Sequence, residues 1–211
     1  MSIETLVWRI KSLSEHYLYL NDDMFFCGPL AREDFFRGDK VVLRGKWEGW
    51  NGIEKLSFHG ENNKRGAALT EWKGQKFFRA VHVAHPMIPS ILEDAFTASP
   101  ELLEKNAAWR FRSRKQFWPI SLHNHLAFAQ RRAKRKRDGS DWVHFSVAFC
   151  RDASPADIQK KLAALKSRNK KLACLNYAEA VMEKVPRTMR YLDKVTQPSM
   201  LQKLCDKLES I

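Results

Sequence analysis

The sequence predicts an α+β fold. An N-terminal helix leads into an antiparallel β-meander of about four strands. A mostly helical, basic C-terminal half with one further strand follows. Three observations predict this. Apolar residues recur at three- and four-residue steps near the start, the period drops to two between residues 40 and 85, and helical spacing returns after Pro86 and Pro89.

Each element has a local reason. Ile3, Leu6, Val7, Ile10, Leu13 and Tyr17 make one helical face, with Ser2 placed to cap it. Asn21-Asp22-Asp23 ends that run, and a short helix is expected between Pro29 and Gly38. Two strand-like runs, 40–50 and 53–61, flank Asn51-Gly52, a pair suited to a hairpin because both turn positions need positive φ. Residues 67–72 and 76–85 complete the meander. Helices are expected in 89–96 and 99–111, the second with Ser99 as cap and Pro100 in its first turn. Another runs from Ser121 into the basic stretch 131–137 and stops at Asp138-Gly139. Residues 141–150 alternate Val143, Phe145, Val147 and Phe149 and read as a strand. Ser154-Pro155 opens a helix carrying Ile158, Leu162 and Leu165. A second helix runs through Leu172, Leu175 and Val181, and two short ones follow around 187–195 and 199–210.

Charge divides the chain more sharply than hydropathy does. Residues 1–105 carry 14 basic and 15 acidic side chains, whereas 106–211 carry 23 and 9. The expected organisation is a near-neutral α+β scaffold over 1–105 and a basic, mostly helical lobe over 106–211, with one continuous domain as the alternative. At 44% hydrophobic content the chain has material for a real core. No apolar run approaches the roughly 20 residues of a membrane helix. The N-terminus lacks the features of a signal peptide. The expectation is an intracellular, cytoplasmic protein, with nucleoid or nuclear association open. Cys27, Cys150, Cys174 and Cys205 form no CxxC pair and read as free thiols.

The segregated positive charge points to a polyanionic partner, since bound phosphates release condensed counterions. Three basic segments sit between apolar elements. They supply Arg110, Arg112, Arg114 and Lys115; Arg131, Arg132, Lys134, Arg135, Lys136 and Arg137; and Lys166, Arg168, Lys170 and Lys171. Residues 160–181 have a helix–turn–helix flavour, which tips the expectation slightly toward DNA over RNA. The expected function is therefore nucleic-acid binding through the phosphate backbone, in the manner of plasmid, phage or mobile-element proteins. The aromatic residues Trp47, Trp50, Phe58, Trp72, Phe77 and Phe78 read as core.

Catalysis has weaker support, and the expectation leans away from an enzyme. No phosphate loop, GxGxxG, HExxH or GxSxG is present. No cofactor and no metal site is expected: neither His82 with His85 nor His123 with His125 is a good clamp, because each pair falls on opposite faces. Asp22-Asp23 and Glu93-Asp94 read as helix-boundary or helix-surface acids. The alternative reading is a metal-independent RNA-processing endonuclease using His59, His82 or His144 in a basic groove. A third is a subunit of a ribonucleoprotein or protein assembly, with protein partners and no membrane.

Overall fold

The computed structural model describes residues 1–51, 56–136 and 139–196. Its class is α+β, as expected. The first half holds α1 (Ser2–Leu6), β1 (Tyr17–Tyr19), β2 (Met24–Phe26), β3 (Phe36–Arg37), β4 (Lys40–Leu43), β5 (Gly45–Gly49), α2 (Phe58–Ala68), β6 (Lys76–Ala80) and β7 (His85–Met87). Then come α3 (Pro89–Ala98), α4 (Pro100–Ala107), α5 (Pro119–Ala129) and β8 (Ala133–Arg135). The last part holds β9 (Trp142–Phe145), α6 (Val147–Asp152), α7 (Pro155–Ala164), β10 (Leu172–Leu175), α8 (Ala178–Lys184) and α9 (Thr188–Thr196). Among the described residues no helix is long and apolar enough to cross a membrane.

The chain forms two compact units that interleave in sequence. The first comprises Met1–Tyr19, Ala31–Val81 and His85–Gly139; the second comprises Leu20–Leu30, His82–Ala84 and the chain from Ser140 onward.

The first unit is built on α5. Every residue from Pro119 to His125, and Ala127, is buried, so this helix is enclosed on all sides. It packs on α2, α3 and β6. The α2 approach is close at Gly66, where an added Cβ would lie 2.8 Å from the Ser121 Cβ. Three small sheets surround it: β1 with β7 antiparallel, β5 with β6 antiparallel, and β4 between antiparallel β3 and parallel β8. Gly38, at φ +62°, makes the turn between β3 and β4.

The second unit is a three-stranded sheet with β10 in the centre, antiparallel to β2 and parallel to β9. The parallel pair requires a crossover, and α6 and α7 provide it. Val143, Phe145, Ile158, Leu162, Ala173, Val181 and Val185 form the core beneath.

Several local expectations are corrected. The N-terminal helix closes at Leu6 and continues only as a 3-10 turn over Val7–Arg9, while Tyr17 enters β1. Ser2 lies inside the helix and caps nothing. The helix expected from Pro29 is a 3-10 turn at Arg32–Asp34. The run 53–61 is not a strand where it is described: Ser57 accepts a hydrogen bond from the Gly60 N–H and starts α2. The cap decides the conformation, and β5 pairs instead with β6. Residues 67–72 end α2 and turn. Helix α5 stops at Ala129, and Arg131 adopts a left-handed φ of +58°. Lys134 and Arg135 then lie in β8 beside β4. A strand sends neighbouring charges to opposite faces, which a helix positive all round would not do. The 141–150 run splits, because Ser146 accepts from the Phe149 N–H and caps α6. Leu172–Leu175 is a strand with all four residues buried, so the helix–turn–helix reading fails and the C-terminal half holds β8, β9 and β10. A continuous apolar run suits a central strand covered on both faces. Arg137, Cys205, Gly52 and the helix expected at 199–210 lie outside the described residues.

Candidate active site

In the second unit the ends of three strands bring polar side chains together. A turn closed by the Met24 N–H on the Asn21 carbonyl, at 3.1 Å, places Asp22 and Asp23 at the head of β2. The Leu175 N–H donates to the Asp23 carbonyl at 2.9 Å and fixes that turn against the end of β10. Asn176 follows β10, and its N–H donates to Phe145 of β9 at 3.0 Å. His144 lies opposite Cys174 in the parallel register. His82 comes from the short segment 82–84.

These groups form one connected network. The Asn176 side-chain amide donates to Asp23 Oδ2. Its Oδ1 is 2.7 Å from His144 Nε2, so His144 carries its proton there and donates. His82 Nε2 stands 3.5 Å from Asp23 Oδ2, and Asn21 Nδ2 lies 3.4 Å from the same ring nitrogen. The rings of His82 and His144 have centroids 5.8 Å apart. Asp23 Oδ1 is buried and has no hydrogen-bond partner among the described residues. Burial holds the His144 pKa below its ordinary value, against the opposite pull of Asn176 and Asp23, and keeps that ring neutral. Burial, and then the Asp23 carboxylate, push the Cys174 thiol up.

A cleft of about 440 Å³ opens beside this network, lined by Asp22, Asp23, Phe25, Tyr177 and Glu179 among others. Asp22 is exposed. Tyr177 is 52% exposed and holds a left-handed backbone, φ +59° and ψ +53°. Strain of this kind in a non-glycine residue costs of order 1–3 kcal/mol and clusters at functional sites. The cleft thus combines carboxylates with an aromatic wall, a composition that suits a polyhydroxylated or phosphorylated ligand.

The other histidines have structural work. His123 Nε2 accepts the Ile88 N–H at 3.0 Å, and His125 Nε2 accepts the Phe78 N–H at 2.8 Å. Burial lowers both pKa values to about 4. His85 is buried, with its ring 5.2 Å from that of Trp118, and the exposed His59 packs on the same indole at 4.5 Å.

The basic residues do not share one arrangement. Arg110, Arg112, Arg114 and Lys115 lie on an exposed loop of the first unit, where Arg114 is ion-paired to Glu61 at 2.5 Å. Arg131, Lys134 and Arg135 are exposed, and Arg135 donates to the Gly45 carbonyl at 3.1 Å. Arg132 and Lys136 are half-buried; Arg132 reaches Ser90 Oγ at 3.4 Å, and the Lys136 N–H donates to the Leu43 carbonyl at 2.8 Å. In the second unit, Lys166 covers the Tyr191 ring and Arg168 is exposed. Lys170 and Lys171 are half-buried beside the sheet, the Lys171 N–H bonding the Asp141 carbonyl at 2.9 Å. Of the histidines singled out from sequence, His82 and His144 meet in the cluster. Asp22 and Asp23, expected as helix-boundary acids, stand at the head of β2, and Cys174, Asn176 and Tyr177 carry no motif.

No family model matches the chain. It is similar to an exopolysaccharide phosphotransferase of Streptomyces coelicolor, SCO6023, at 28% identity over 186 residues, covering 83% of this chain and 30% of that protein. It is 27% identical over 156 residues to the capsular polysaccharide phosphotransferase SacB of Neisseria meningitidis serogroup A, covering 70% and 28%. With the exopolysaccharide phosphotransferase CpsY of Mycobacterium tuberculosis it shares 33% over 118 residues, covering 53% and 22%. The chain thus spans less than a third of the length of these curated relatives. These names correct the nucleic-acid reading, DNA and RNA alike, together with nucleic acid or a nucleoprotein assembly as partner. They also oppose the leaning away from an enzyme. All three relatives are named as phosphotransferases, and none as a nuclease.

Proposed function

We propose that this chain contributes the second-unit cleft to a polysaccharide phosphotransferase, an enzyme that moves a phosphate-bearing group onto a sugar hydroxyl. The observation that carries this is the similarity over 83% of the chain to a protein named for that activity. The cleft supports it, with two adjacent carboxylates at an open mouth and a hydrogen-bonded network behind them.

The residues divide the work. The acceptor hydroxyl attacks phosphorus; its O–P bond forms as the bond to the leaving oxygen breaks. Asp22, exposed on the cleft wall, takes the hydroxyl proton. Asp23 is the inner carboxylate, held by the Asn176 amide while His144 fixes that amide in turn. His82, paired with Asp23, supplies an N–H and, when protonated, positive charge toward the phosphate oxygens. Phosphoryl transfer depends mostly on such positioning and charge.

The test is chromosomal. In the source organism the gene is replaced by its Asp22→Asn form, and phosphodiester in the purified surface polysaccharide is measured by phosphorus NMR. A loss of about 10²- to 10⁴-fold in transfer rate is expected for removal of a general base. Unchanged phosphodiester content in that strain would sink the reading.

A further inference from the structure

The cluster behind the cleft also brings together a donor set of the kind that holds a metal ion. Asp23, His82 and Cys174 each offer a ligand atom, and these atoms all lie within 4.8 Å of one another. The histidine–carboxylate edge is already 3.5 Å. Zinc bonds of about 2.0–2.3 Å to N, O and S place tetrahedral ligand atoms roughly 3.3–3.8 Å apart, so small side-chain movements close the triangle. Asp23 Oδ1 is buried without a partner, which is costly for a carboxylate oxygen unless something positive reaches it.

We infer that Asp23, His82 and Cys174 form a binding site for a borderline-soft divalent cation, zinc above all. A thiolate, an imidazole and a carboxylate together select zinc, cobalt or iron over magnesium, which takes oxygen ligands and keeps its waters. Three protein donors leave a fourth position for water or a ligand oxygen, the pattern of a catalytic rather than a structural zinc site. Asn176 and His144 stand as the outer shell, since Asn176 already orients the Asp23 carboxylate. The three donors are far apart in sequence, and their spacing carries no metal signature. This assignment rests on donor geometry; it shares Asp23 and His82 with the phosphotransfer reading, and a bound cation would supply the positive charge there given to His82.

The experiment strips the purified full chain with a chelator, then titrates it with zinc and, in parallel, with cobalt. Bound metal is measured by mass spectrometry after gel filtration, and the cobalt form by its thiolate-to-metal charge-transfer band. One equivalent of metal is expected. Cys174→Ser should abolish the band and weaken zinc more than about 100-fold, beyond the 10- to 100-fold that outer-shell partners cost. Asn176→Ala should fall within that outer-shell range. Cys27→Ser and Asp22→Asn should bind as the wild type does, so metal uptake can succeed where phosphotransfer fails. Circular dichroism checks each fold. If Cys174→Ser does not fold, His82→Gln, at a half-buried position, takes its place. Absence of stoichiometric metal, or binding indifferent to both ligand variants, overturns the site.

Discussion

Two pairs of histidines divide this molecule. His123 and His125, on the enclosed α5, accept hydrogen bonds from main-chain amides of Ile88 and Phe78. His82 and His144, in the second unit, meet side chains instead: Asp23, Asn21 and Asn176, beside a cleft. The first pair replaces water for backbone groups that a helix and two strands would otherwise bury unsatisfied. The second belongs to a network made of side chains, of which Asp23 also lines the cleft. A histidine's partner, rather than its depth, separates scaffold from chemistry here.

The comparison breaks first at Asp23. Asp23→Asn should cost about 10²- to 10⁴-fold in polysaccharide phosphate transfer while the melting temperature barely moves. Collapse of the fold with proportionate activity loss would make the cluster mere scaffold. Next, His123→Ala should lower stability by about 2–5 kcal/mol in a denaturant titration, because a buried amide loses its acceptor and a cavity opens.

Acid sharpens the same contrast. Both α5 histidines have folded-state pKa values near 4, below the ordinary 6.5 of the unfolded chain. Between those values the unfolded state binds more protons, so their contribution is full above pH 6.5 and falls away as the pH drops toward 4. The melting temperature should follow that window, and a flat profile through it would contradict neutral, amide-bound rings. The smallest effects belong to isolated local features. Ser57→Ala should cost about 1 kcal/mol as the α2 cap is lost. Lys134→Ala, on the exposed side of β8, should change stability by less than about 0.5 kcal/mol and leave phosphate transfer intact.

Sequence and structure agree on the class and on helices such as α3, α4 and α7, whose proline starts and apolar spacing act locally. They part where tertiary contacts decide. Leu172 and Leu175 stand three apart, as on a helix, yet the run between them fills the middle of a sheet whose partners lie at 24–26 and 142–145. The site was nearly silent for a related reason. Asp22-Asp23 is an unremarkable acidic pair until Asn176 and His82 arrive from distant positions, while the basic stretch 131–136 is conspicuous and spends much of itself as an ordinary strand. His82 and His144 were visible as candidates because histidine is scarce and versatile; Asn176 had no such mark.

That asparagine has a further consequence. An amide is a directional element: its oxygen only accepts and its nitrogen only donates. With His144 donating on one side and Asp23 accepting on the other, the network can be wired in one sense alone. Replace Asn176 by aspartate, a change of one atom and one charge, and two carboxylates face each other with no donor between them. One must then hold a proton, and the pair would respond to the acidity of its surroundings. The amide spares Asp23 that response.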